Sequence, residues 1–170
     1  MTANTLRTVL GFCRSVIARW LPQRERQSLD DIYNYLAIDG LYATSGQPSE
    51  LQLELIRDQG VETVINLAPN SKLENSVVNE AEILSGLGVT YIHIPVDFNA
   101  PTDDDFERFA GALADRNPSK VWVHCAANMR VSAFTYRYRT ERLGVDAAIA
   151  ESDLQRIWDP FGVWKGFLKR

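Results

Sequence analysis

Apolar residues in the first segment recur at helical spacing: Leu6, Val9, Leu10, Cys13, Val16, Ile17, Trp20 and Leu21 share a stripe, with Arg7, Arg14 and Arg19 off it. The pattern predicts an amphipathic helix over residues 5–21, ended by Pro22 and the charged run Gln23–Gln27. From Leu29 the rhythm changes. A short helical stretch to about Ile38 leads to the extended Leu41–Thr44, and the turn Ser45-Gly46-Gln47-Pro48 opens a helix over residues 49–59, with Ser49 as its cap. Gly60 stops that helix, Val61–Leu67 reads as a buried strand, and a loop leads into a helix near 75–86 closed by Gly86 and Gly88. Val89–Val96 makes the next strand, Thr102–Arg116 an amphipathic helix, and Lys120–His124 a short apolar strand. Helices are expected near 131–142, 146–157 and 160–169.

Strands alternating with helices predict an α/β fold with a mostly parallel central sheet of four to five strands, helices on both faces, and extra helices at either end. The expected organisation is a basic amphipathic helix over 1–27 and an α/β domain over 28–170. A chain of 170 residues, 45% hydrophobic and 24% charged, can bury a core without metal or disulfide and has the composition of a folded globular protein.

The net charge of −4 is unevenly spread, because residues 1–27 hold five arginines against Glu25 alone. The main body carries the acidic excess, so a nucleic-acid partner is not expected. The basic helix is suited to packing on its own domain or a neighbouring subunit, which is favoured over membrane-surface contact by residues 5–21. The oligomeric state is left open. Cys13 and Cys125 are far apart and show no metal-ligand spacing, so no zinc site, disulfide framework or cofactor is expected. Arginines interrupt the N-terminal apolar residues, so neither a secretory leader nor a membrane span is expected, and a reducing cytoplasm is the expected compartment.

The chemistry concentrates where the Val121–His124 strand runs into Cys125-Ala126-Ala127-Asn128-Met129-Arg130 and then a helix from Val131 and Ser132. Ligands of open α/β sheets bind beyond the carboxyl ends of the strands. A helix start there offers backbone N–H groups and the positive end of a dipole, about half a unit charge, which favours a phosphate, another oxyanion or a thiolate. Cys125 is the candidate nucleophile. Arg130, always charged, can grip two oxygens of a tetrahedral anion through its planar fork.

His124-Cys125 followed by Arg130 at a strand-to-helix turn resembles the phosphate-binding loop of the protein tyrosine and dual-specificity phosphatase superfamily. Over about residues 38–145, the order Leu41–Pro48, Val64-Ile65-Asn66-Leu67, Tyr91–Asp97 and then the loop is similar to small bacterial phosphatase-like domains of the DUF442 type. Gly46-Gln47-Pro48 and Ile65-Asn66-Leu67 are typical of that group. The resemblance implies a metal-independent, cysteine-dependent phosphatase acting on a phosphorylated protein or small molecule. In it Ala126, Ala127, Asn128, Met129, Val131 and Ser132 would line the anion loop, His124 would support it through a backbone hydrogen bond, and Asp97 would protonate the leaving group.

One departure matters. The superfamily spacing is Cys-x5-Arg followed by Ser or Thr, whereas Arg130 comes after four residues and Val131 follows it. The ring loses one N–H and up to about 3.5 Å of contour. Cys-x4-Arg loops resemble those of rhodanese sulfurtransferases, so sulfur transfer and a catalytically silent oxyanion-binding module remain the alternatives. Asn128 stands where both loop families favour glycine, and Asn tolerates the left-handed conformation. Elsewhere structural roles suffice: Cys13 for packing, His93 for its strand, Asp103, Asp104 and Asp105 for a helix start, Gln47 and Asn66 for turn and strand ends. Trp158, Phe161, Trp164 and Phe167 recur at core spacing.

Overall fold

The computed structural model describes residues 2–19, 28–71, 76–114 and 116–169, with the backbone alone at 14–19. The expected helix stop at Pro22 and Gln23–Gln27 lies outside the described residues. Among those described, strands β1 (Leu36–Ala37), β2 (Ala43–Ser45), β3 (Thr63–Asn66), β4 (Thr90–His93) and β5 (Val121–His124) form one sheet in the order β1-β2-β5-β3-β4. β1 pairs antiparallel with β2 and the other pairs are parallel. β5 therefore enters the gap between β2 and β3, and its C-terminal end is flanked on both sides.

Helices α1 (Ala3–Arg19), α2 (Glu50–Asp58), α3 (Glu80–Gly86), α4 (Asp103–Ala114), α5 (Met129–Arg137), α6 (Ala147–Ile157) and α7 (Val163–Phe167) surround the sheet. Side chains of a strand alternate between faces, and the two cores follow that alternation. Val64 and Trp122 pack with Leu53 and Ile56 of α2 and Leu84 of α3. Ile65, Val121, Val123 and Cys125 pack on the other face with Phe106, Phe109, Phe134, Leu154, Trp164 and Phe167 from α4 to α7. Each fully buried aliphatic or aromatic side chain contributes about 1.5–3 kcal/mol. Ser49 begins α2 with the reciprocal cap to Gln52 that its position predicts.

Three local expectations are corrected. Residues 29–38 are not a helix: a single 3₁₀ turn (Leu29–Asp31) is capped by Ser28, and Asn34, at φ 52°, turns the chain into β1. α5 starts at Met129 rather than at 131, because Asn128 reverses the chain at φ 64°, and beyond Arg137 it widens into a π turn, Tyr138–Arg142. Of the described stripe residues of α1, Leu6, Leu10 and Cys13 are exposed. Leu6 and Leu10 are 45% and 60% exposed, whereas Thr5 and Thr8 are buried. The reason lies in carbonyls at the end of α6 and just beyond it, which have no partner inside that helix. Thr8 donates to the carbonyl of Ile157, Asn4 to that of Gln155, and Thr5 to that of Asp159 at 2.7 Å. Gly11 lets α1 lie against Tyr33, since a Cβ there would sit 2.6 Å from the Tyr33 hydroxyl. No described helix is long and apolar enough to cross a membrane.

Candidate active site

At the C-terminal edge of the sheet, register places Ser45, His124, Asn66 and His93 in one row across β2, β5, β3 and β4. The alternation that sends Trp122 and His124 toward α2 and α3 sends Cys125 to the opposite face, beneath the start of α5.

The Cys125 loop is fastened by backbone contacts from the neighbouring segments. Cys125 N–H donates to Ser45 O at 3.3 Å, and Ala126 O accepts from Gln47 N–H at 3.2 Å. Gly46 makes this possible: a Cβ there would lie 2.9 Å from both the Ala126 and the Tyr33 carbonyl oxygens. Two asparagines form a reciprocal clasp. Asn34 Nδ2 donates to Ala127 O at 3.0 Å, while Asn128 Nδ2 donates to Asn34 O at 2.7 Å and to Thr44 Oγ1 at 3.0 Å. Asn128 thus supplies the left-handed turn that glycine would give and adds side-chain anchors.

Cys125 and Arg130 are 1% and 4% exposed. Arg130 lies in the first turn of α5, with its guanidinium carbon 5.3 Å from the centre of the Phe98 ring. Phe98 follows Asp97 on the loop after β4, and that loop is held from the C-terminal segment: Trp164 Nε1 donates to Phe98 O at 2.9 Å, and the Phe98 ring packs against Trp158 and Trp164. The loop bearing Asp97 therefore reaches Arg130 through Phe98. The Asp97 carboxylate is exposed and accepts from Asn99 N–H at 2.8 Å.

Other predicted residues are accounted for. Ala126, Ala127 and Met129 are buried around the loop, and Val131 lies in the core. Ser132 donates to Met129 O at 3.0 Å and accepts from Trp158 Nε1 at 3.1 Å, so its hydroxyl is directed to the C-terminal aromatics. His93 Nε2 lies 2.7 Å from Ala68 O. Asp103 pairs with Arg137 at 3.0 Å and Asp105 bonds Thr102, which are structural duties.

Two residues escaped the sequence reading. Asn34 gave only the weak signal of a residue type that tolerates left-handed backbone. Glu80, in the first turn of α3, is indistinguishable by spacing from its exposed neighbour Glu82, yet it is 5% exposed. Its Oε1 accepts from Gln47 Nε2 at 3.0 Å and lies 3.0 Å from His124 Nε2. Its Oε2 accepts from Asn66 Nδ2 at 3.0 Å and from the Tyr91 hydroxyl at 3.2 Å. Burial pushes this carboxyl up, but the charge of His124 and the surrounding donors outweigh it and hold it below the usual carboxylate range. Tyr91 is pushed up by burial and by the Glu80 charge.

A family model described as DSP-PTPase phosphatase fused to NAD+ kinase matches residues 12–157. A solved structure described as a candidate phosphatase (DUF442), from Shewanella putrefaciens CN-32, is 31% identical with a TM-score of 0.72, over 83% of this chain and 92% of that one. The core catalytic domain of the PP-IP phosphatase SIW14 from S. cerevisiae shares the fold at 11% identity, TM-score 0.68, over 81% of this chain and 85% of that one. A beta-lactamase hydrolase-like protein of Xylella fastidiosa (strain Temecula1) is 32% identical over 90 residues, 52% of this chain. The chain spans only 21% of the length of that relative.

Proposed function

We propose that this chain, which belongs to the DSP-PTPase phosphatase family, is a cysteine-dependent phosphatase that hydrolyses phosphate monoesters through a thiophosphate intermediate. One observation carries the reading: Cys125 sits at the end of the central strand, directly before the helix whose first turn bears Arg130, and the loop bearing Asp97 lies against that arginine through Phe98.

The Cys125 thiolate attacks phosphorus, forming the S–P bond as the P–O bond to the leaving group breaks. Asp97 gives its proton to the departing oxygen. Water then attacks the phosphocysteine, Asp97 takes a proton from it, and phosphate leaves with the thiolate restored. Arg130 and the N–H groups at the start of α5 carry the charge on the equatorial oxygens. The Ala126, Ala127 and Asn128 backbone forms the wall of the anion cradle, and the Asn34–Asn128 clasp fixes its shape at Cys-x4-Arg length. Substrates are phosphorylated proteins or small phosphorylated molecules.

A panel of para-nitrophenyl phosphate, phosphopeptides and thiosulfate with cyanide, run on the native chain, Cys125→Ser and Asp97→Asn, tests the reading. Phosphate release by the native chain, abolished in Cys125→Ser, is expected. Thiocyanate formation with a one-sulfur mass gain on Cys125 and no phosphate release would replace it with sulfur transfer.

A further inference from the structure

A helix that packs on its own domain ordinarily turns its apolar stripe inward and its polar side to water. Over its described side chains, α1 does the reverse. Thr5 and Thr8 are buried and donate to the carbonyls of Asp159 and Ile157, Asn4 donates to that of Gln155, and Gly11 lies against Tyr33. Phe12 is the apolar member of this docked side, packed against the larger core. Leu6, Leu10 and Cys13 are exposed on the outer side, and the helix backbone runs on to Arg19 with Ile17 four residues after Cys13. Hydrogen bonds and Phe12 hold α1 in place, so the outer stripe is not what fixes it.

Arg7 is exposed and stands three residues before Leu10, and Arg14 comes four residues after it, spacings that put both positions beside the stripe. α1 holds three arginines and no acidic residue, in a chain whose net charge is −4. We propose that the outer side of α1 is a docking surface for an anionic lipid bilayer, on which the helix lies in the headgroup plane with Leu6, Leu10 and Cys13 inserted and its arginines at the lipid phosphates. Charge selects this occupant. An anionic surface attracts α1 and repels the acidic remainder of the chain, which orients the molecule, whereas a second copy seated stripe to stripe would bring like-charged arginines together. No described helix is long and apolar enough to cross the bilayer, and a helix of this pattern lies on it instead. α1 is also tied to the edge of the sheet that bears Cys125. The Tyr33 hydroxyl donates to Thr8 O, Tyr33 O accepts from Gly46 N–H at 2.7 Å, and Gly46 abuts the Ala126 carbonyl. Docking through α1 therefore sets how that edge is presented to the bilayer.

The test is co-sedimentation of the full chain with vesicles of mixed phosphatidylcholine and phosphatidylglycerol, against vesicles of phosphatidylcholine alone. Binding to the mixed vesicles, weakened by added salt, and little to the neutral ones is expected. Arg7→Gln and Arg14→Gln should each lower the partition coefficient about fivefold. Leu6→Gln combined with Leu10→Gln should abolish binding and leave thermal melting native, because both side chains are already exposed. In the native chain, mixed vesicles should slow the labelling of exposed Cys13 by a water-soluble maleimide, read by mass on its peptide, a measurement that needs no substitution. No sedimentation with mixed vesicles, equal binding to both kinds, undiminished binding by the folded leucine variant, or unslowed Cys13 labelling in a chain that sediments overturns the proposal. So does a dimer in light scattering that the leucine variant dissociates, which would seat a second copy on the stripe.

Discussion

At the scale of single residues, the site is decided by groups whose types were legible and by contacts that were not. Cys125 and Arg130 stand out as candidates because a thiol and a guanidinium fall in a strand-to-helix turn, whereas Asp97 is a candidate only through the family resemblance. Asn34 and Gly46 were unreadable as partners of the Cys125 loop, since contacts across some 80 to 90 residues leave no periodic trace. Asp97→Asn should lower kcat by roughly 10²–10⁴-fold for esters with poor leaving groups and much less for activated aryl phosphates, which need little protonation. A series of esters of graded leaving-group acidity measures it, and a uniform loss across the series would remove Asp97 as the acid. Gly46→Ala drives a methyl group against two backbone oxygens at 2.9 Å. It should cost about 1–3 kcal/mol in urea unfolding and depress turnover as well, because the Gln47 to Ala126 hydrogen bond opens. Native-like values of both would show that the close approach is unimportant.

At the scale of elements, every strand and helix with strong periodicity was found, and the misses share a cause. The 29–38 stretch lost its helix to a left-handed Asn34 and a two-residue strand pairing, β1 with β2, that is too short to announce itself. The described part of the α1 stripe misled because this stretch of the helix docks through the Thr5 and Thr8 hydroxyls onto the carbonyls of Asp159 and Ile157, a polar task that hydrophobic spacing does not encode. The aromatics at 158, 164 and 167 were legible as core, whereas Phe161 is 38% exposed; not legible was their use, since Trp164 on α7 grips the backbone of the loop bearing Asp97. Trp164→Phe keeps a buried ring and deletes that bond. It should cost about 1 kcal/mol and lower kcat more than it raises KM, since the acid loop is less well placed. A variant with lower stability and unchanged kcat would separate the C-terminal helix from the chemistry.

At the scale of the whole molecule, strand order places the Cys125 loop at the middle of the sheet edge: β5 is the central strand of five, parallel to β2 on one side and to β3 on the other. Alternating strands and helices announced a parallel sheet, but no local pattern announces which strand is central or that a helix-borne Glu80 would sit under it. That carboxylate also links stability to pH. Its folded value lies below the ordinary 4.5, so its contribution is present above pH 4.5 and is lost as pH falls through the lower folded value. The stability gap between the native chain and Glu80→Gln should therefore be widest near neutrality and close on acidification, as read by urea unfolding across pH; a gap independent of pH would contradict it. The central claim is tested most directly by acid-quenching Asp97→Asn during turnover of para-nitrophenyl phosphate and mapping the trapped phosphoryl group by mass spectrometry. The account predicts one phosphoryl group on the peptide holding Cys125, absent when Cys125 is Ser; phosphate release undiminished in Cys125→Ser would contradict it.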